Sequence, residues 1–130
     1  MTSGTIPTTL VGQAVLVVED EYFIARDIVD ELRTEGAVVR GPFSGVREAM
    51  RLIGAGTPIG VAVLDVNLRG EMIWPVVDEL IRLGVPVVLT TGYDAGAIPF
   101  AYAHLPRLEK PVSVRDIVRI AAGQVGTGTK

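Results

Sequence analysis

Short runs of β-branched and aliphatic residues alternate along this chain with longer stretches in which apolar residues recur every three or four positions. Such alternation builds βαβ units around a parallel sheet, because each strand needs a crossover helix to return to the same edge. Ala14-Val15-Leu16-Val17-Val18 carries no polar residue, as a strand buried on both faces requires. After Glu21 the period changes: Ile24, Ile28 and Leu32 share a helical face, and Gly36 ends it. Ala37-Val38-Val39 reads as a second strand, and Ser44 as the cap of a helix carrying Val46, Met50 and Ile53. Residues 61–64 form a third strand that ends at Asp65. A helix over 75–83 follows, with Val76, Val77, Leu80 and Ile81 as its apolar stripe and Gly84 as its stop. Residues 85–91 make the fourth strand, Pro86 sitting at its start. Glycines and prolines in 92–106 leave room only for a short or irregular fourth helix. A brief strand at Leu108 leads to Lys110-Pro111. Ser113 and Asp116 then resemble a capping box for a last helix with Ile117, Ile120 and Ala121 inward. The reading is a doubly wound α/β layer over 13–122, with a flexible leader over 1–12 and a flexible tail over 123–130.

Composition narrows the partners. At 130 residues and 48% apolar content there is room for one domain with one sizeable core. A net charge of −3 and scattered basic residues argue against a nucleic-acid partner. With no cysteine, disulfides and thiolate metal sites are excluded, which fits a cytoplasmic location. The apolar runs are too short to span a membrane, and the N-terminus lacks the pattern of a signal peptide.

The charges fall at the ends of the apolar runs. Glu19-Asp20 follows the first strand, Asp65 closes the third, Thr91 the fourth, and Lys110 follows the fifth. Parallel strands bring those ends to one edge, where doubly wound folds bind their ligands. Three clustered carboxylates raise one another's pKa unless a cation intervenes. Oxygen donors without His or Cys favour Mg²⁺, Mn²⁺ or Ca²⁺, and sparse protein ligation beside a phosphoryl group favours Mg²⁺. The lysine and the hydroxyl supply what a phosphoryl group needs, and the metal-side carboxylate can act as a nucleophile.

In the motifs VLVVEDE, VLDVN, PVVLTTGY and LEKP the chain resembles bacterial response-regulator receiver domains, over roughly residues 13–122. That resemblance implies a flavodoxin-like five-stranded sheet of order 2-1-3-4-5. It makes Asp65 the phosphoacceptor, Asp20 a direct Mg²⁺ ligand and Glu19 an acidic partner acting through water. Asn67 would lend its backbone carbonyl to the metal. Thr91 matches the switch hydroxyl, ahead of Thr90, because it precedes Gly92 and follows Pro86 by five. Lys110 matches the family lysine, with Lys110-Pro111 cis. Two features depart from the common pattern. Arg107 stands where many receivers carry a switch aromatic. Thr90-Thr91-Gly92-Tyr93 and the broken fourth helix look like the Phe-Ala-Thr-Gly-x-Tyr subgroup, often paired with HWE or HisKA2-type kinases.

Plainer roles suit other residues. Asp30, Asp78 and Asp94 read as solvated or turn residues, and His104 as structural rather than a phosphate carrier. Met72 and Trp74 read as cover for the loop beside the site ahead of a partner-facing patch. Tyr93 either bonds across the pocket rim or shields the acyl phosphate. The expected function is a phosphoacceptor module served by a histidine kinase or histidine phosphotransfer protein. No output domain is expected, and the expected output is a downstream protein contact, onward transfer or a phosphate sink. A monomer or weak homodimer is expected. A phosphorylation-independent adapter competes with this reading, as does a Mg²⁺-dependent aspartate-nucleophile phosphatase. The phosphatase pattern wants a second Asp where Asn67 stands.

Overall fold

The structure, a computed structural model, describes residues 10–92, 98–111 and 113–128, with side chains as far as 124. In chain order it contains β1 (Ala14–Val18), α1 (Tyr22–Thr34), β2 (Val38–Phe43), α2 (Val46–Gly54) and β3 (Val61–Asp65). A small hairpin of β4 (Asn67–Leu68) and β5 (Glu71–Met72) comes next, then α3 (Trp74–Arg82) and β6 (Val87–Thr91). A 3-10 turn (Phe100–Tyr102), β7 (Arg107–Glu109) and α4 (Val114–Gly128) complete the order. Five strands pair in parallel as β2-β1-β3-β6-β7. With the hairpin strands set aside, this is the expected 2-1-3-4-5 order of a doubly wound sheet.

Strand alternation divides the core in two. Leu16, Val18, Ala62 and Leu64 point to one face, where Ala49 and Ile53 of α2 and Val76, Val77 and Leu80 of α3 cover them. Val15, Val17, Val61 and Val63 point to the other, under Ile28, Val29 and Leu32 of α1 and Ile117, Val118 and Ala121 of α4. Both faces are closed, so β1 and β3 expose no apolar side chain.

Several local expectations change. Leu10 is 1% exposed and packs into the α1/α4 layer, and the Gly12 N–H donates to the Gly36 carbonyl at 2.9 Å. The leader expected over 1–12 therefore contributes its last residues to the fold, and residues 1–9 lie outside those described. At the other end α4 continues to Gly128, through most of the expected tail. Once its first turns dock, each added residue gains a hydrogen bond without a new nucleation cost. The second strand runs on to Phe43, because a bulge opposite Leu16–Val18 lets it bend. Gly41 permits this: its φ is +108°, and a Cβ there would meet the Val17 carbonyl oxygen at 2.7 Å.

Helix ends differ as well. Gly45, not Ser44, is the N-cap of α2, and the Val46 N–H donates to Glu71 Oε1 of the hairpin at 3.4 Å. A carboxylate from another element replaces the expected hydroxyl. Asp116 likewise turns forward to Arg119 at 2.6 Å instead of back into a capping box. Ile81 is 45% exposed, since it sits about 100° round α3 from Leu80. No described helix is long and apolar enough to cross a membrane.

Leu10→Ala should lower the unfolding free energy by about 2–4 kcal/mol, the range for a buried leucine. Urea unfolding measures it, and a loss below about 0.5 kcal/mol, the size of a surface change, would place Leu10 outside the core.

Candidate functional site

The carboxyl edge of the sheet collects what the apolar strands cannot bury. Glu19 and Asp20 follow β1, Asp65 is the last residue of β3, Thr91 ends β6, and Lys110 follows β7. Glu19 and Asp65 are buried. The Lys110 ammonium lies 3.1 Å from Asp65 Oδ2, 3.3 Å from Glu19 Oε1 and 3.3 Å from Glu21 Oε1. Its position is set by the backbone, where the Lys110 N–H donates to the Thr91 carbonyl at 2.6 Å. The Lys110-Pro111 bond is cis, as the resemblance implied. Glu19 Oε2 accepts the Glu21 N–H at 3.1 Å, and Asp65 Oδ1 accepts the Asn67 N–H at 3.4 Å.

Glu19, Asp20 and Asp65 present carboxylate oxygens within 4.8 Å of one another. They meet at a cleft of about 310 Å³ lined by Asp20, Glu21, Asp65, Asn67, Arg69 and Lys110. A second hollow of about 170 Å³ adjoins it at Lys110, lined by Thr91, Gly92 and Glu109 as well. Thr91 lines that hollow and Thr90 does not, as strand alternation requires of neighbours.

The electrostatics show a site short of positive charge. Burial pushes the Glu19 carboxyl up to about 7, and the neighbouring Asp65 charge pushes the same way. The Glu21 N–H and Lys110 pull against them and lose. Burial also raises Asp65 above the usual carboxylate range, with Lys110 opposing. Burial alone would lower Lys110, but Asp65 and Glu19 outweigh it and hold the ammonium firmly protonated. Glu19 Oε1 is buried and accepts no hydrogen bond, although the Lys110 ammonium lies 3.3 Å away. Three acids, hard oxygen donors and one orphaned oxygen fit an oxygen-seeking divalent cation.

The sequence-predicted residues thus converge, and some neighbours were not anticipated. Arg69 Nε lies 3.1 Å from Asp20 Oδ2, and Glu21 joins the Lys110 cluster. Arg69-Gly70 is the two-residue turn of the hairpin, a pattern that an X-Gly pair just after a strand can signal. Trp74 has a partner the sequence did not indicate. It stacks on Tyr102, with ring centroids 4.3 Å apart and planes 6° from parallel. The Tyr102 hydroxyl donates to Asp78 at 2.7 Å, giving that exposed acid a partner. Arg107 is exposed and donates to the Ala103 carbonyl at 3.3 Å, and His104 is exposed. Tyr93 and Asp94 lie outside the described residues.

No protein-family model matches the sequence, and no curated protein does either. Solved structures do match. A response regulator receiver protein from Sinorhizobium medicae WSM419 is 18% identical, over 90% of this chain and 97% of that one, at TM-score 0.75. A CheY-like response regulator receiver domain protein from Methanospirillum hungatei JF-1 is 17% identical, over 90% and 97%, at TM-score 0.76. These two share the fold. SdrG from Sphingomonas melonis Fr1 is 31% identical, over 88% of this chain and 97% of that one, at TM-score 0.73. The chain belongs to the response-regulator receiver-domain family. Among the described residues of this receiver domain, the hairpin after β3 and the 3-10 turn before β7 depart from strict βαβ alternation.

The Glu19 shift carries a pH consequence for the receiver domain. A folded value of about 7, against an ordinary 4.5, means the fold holds a proton that the unfolded chain releases. The resulting stabilisation is present below about 4.5 and is lost as pH rises through about 7. In chelator-treated buffer the thermal midpoint should fall across that window. Glu19→Gln, which cannot titrate, should flatten the fall. A wild-type midpoint that rises over the same window would contradict the assignment.

Proposed function

We infer that this receiver domain accepts a phosphoryl group on Asp65 from a histidine kinase or histidine phosphotransfer protein. The observation that carries the reading is the setting of Asp65: buried at a strand end, 3.1 Å from the Lys110 ammonium and grouped with two further acids. An Asp65 oxygen attacks phosphorus, the bond from phosphorus to the donor imidazole nitrogen breaks, and an aspartyl phosphate results. The imidazole leaves with the bond's electron pair. Lys110 offsets the charge gathering on the phosphoryl oxygens, and the Thr91 hydroxyl, across the adjoining hollow, can donate to one of them.

Asp20, Asp65 and the Asn67 carbonyl would hold Mg²⁺, with Glu19 acting through water. When bound, Mg²⁺ supplies the positive charge that the acids and the incoming phosphoryl oxygens share. Asn67 weighs against a phosphatase of the aspartate-nucleophile kind. Its side chain accepts the Gly70 N–H and has no acidic proton to give a leaving group. The Thr-Thr-Gly-Tyr stretch from Thr90 and the 3-10 turn before β7 support the Phe-Ala-Thr-Gly-x-Tyr subgroup, and with it a kinase of HWE or HisKA2 type. With Arg107 in place of an aromatic, output to a downstream protein runs through other contacts. Tyr102 on Trp74 is one aromatic pair available for them.

Incubation with Mg²⁺ and acetyl phosphate should add one phosphoryl group to the intact mass, and Asp65→Asn should abolish it. No adduct from acetyl phosphate or a cognate kinase would favour an adapter. Multiple turnover on phosphate esters would favour a phosphatase.

A further inference from the structure

Arg69 occupies a backbone position that does not suit it. It is the first of the two turn residues between β4 and β5, with φ +55°, followed by Gly70 at φ +94°. Turns with two positive φ values favour Asn-Gly or Gly-Gly, and an arginine there is uncommon. Its side chain has a defined task. Nε lies 3.1 Å from Asp20 Oδ2, and while the Arg69 side chain is 81% exposed, that of Asp20 is only 8% exposed. The arm reaches in from solvent to a carboxylate that cannot reach out.

The root of the arm is tied to the acceptor. The Gly70 N–H donates to the Asn67 side chain, and the Asn67 N–H donates to Asp65 Oδ1. Lys110, the other cation in the cleft, contacts Glu19, Glu21 and Asp65. Two positive groups thus divide the three clustered acids, Lys110 taking Glu19 and Asp65, and Arg69 taking Asp20. A divalent cation bound by Asp20 would compete with Arg69 for that carboxylate's charge.

We propose that Arg69 is a built-in competitor of the divalent cation, holding Asp20 through its guanidinium and swinging to solvent when the cation binds. This rests on the reading of Asp20 as a metal ligand. The affinity for Mg²⁺ is then set by the strength of one exposed-to-buried ion pair as well as by the acids. The hairpin turn supplies the hinge, since the arm is solvated along its length and only its head is held.

Magnesium chloride titration of the whole chain, followed by backbone amide NMR shifts at Asp20 and Asn67, tests this without any phosphoryl donor. Arg69→Asn keeps a residue suited to the turn and removes the charge. It should lower the Kd for Mg²⁺ about three-fold, the scale of a partly exposed ion pair. Arg107→Gln removes the same charge outside the cleft and should leave the Kd unchanged. If wild type binds and Arg69→Asn binds no more tightly, the competition is overturned and the Mg²⁺ site stands. An equal gain in Arg107→Gln would reduce the effect to net charge and also overturn it. If no variant shows saturable shifts at these amides, the metal site fails and this inference fails with it.

Discussion

Covering a parallel sheet on both faces leaves its polar groups one exit. The strands β1 and β3 are apolar up to their ends because helices close over each side, so a carboxylate or ammonium emerges where a strand stops. The parallel strands all stop at the same edge. The site is therefore a product of the core: Glu19 and Asp65 are held by the same packing that buries Val18 and Leu64 just before them. The helices contribute by covering the sheet, and the loops beyond the strand ends contribute the variable parts.

That placement has an electrostatic consequence. A single ammonium faces Glu19, Glu21 and Asp65 at 3.1–3.3 Å, and burial withholds the water that would otherwise screen the acids. The conflict shows in the raised Glu19 and Asp65 carboxyls. A site built this way is poised for added positive charge. The acids cost stability in the fold and gain it back only through a ligand, which is how functional sites commonly depart from the best-packed solution.

The sheet and the acidic edge were legible because both arise from patterns the sequence displays directly. Uninterrupted apolar runs mark buried strands, and the residue after each run marks the strand end. Asp65 and Lys110 follow from that logic, and the choice of Thr91 over Thr90 from the resemblance to receiver domains. What was not legible depended on contacts between distant segments. Ser44 looked like a helix cap until Glu71, from a hairpin 25 residues on, took the Val46 N–H. Leu10 stood apart from any periodic run, so nothing local distinguished it from a loose leader. Trp74 could be placed beside the site by position, but its stack on Tyr102 joins segments with no shared pattern. Arg69 was hidden for a related reason: the Arg-Gly pair signals a turn, whereas the side chain's partner is set by the sheet.

The Trp74–Tyr102 stack also determines what light can report about this protein. Trp74 is the chain's only tryptophan, and its ring lies flat against a tyrosine at the junction of α3 with the 3-10 turn. Intrinsic tryptophan emission is accordingly a local signal here. It reads the seam between those two segments, where both rings pack against the core layer of α2 and α3. An unlabelled sample thus carries its own optical probe beside the 3-10 turn that precedes β7.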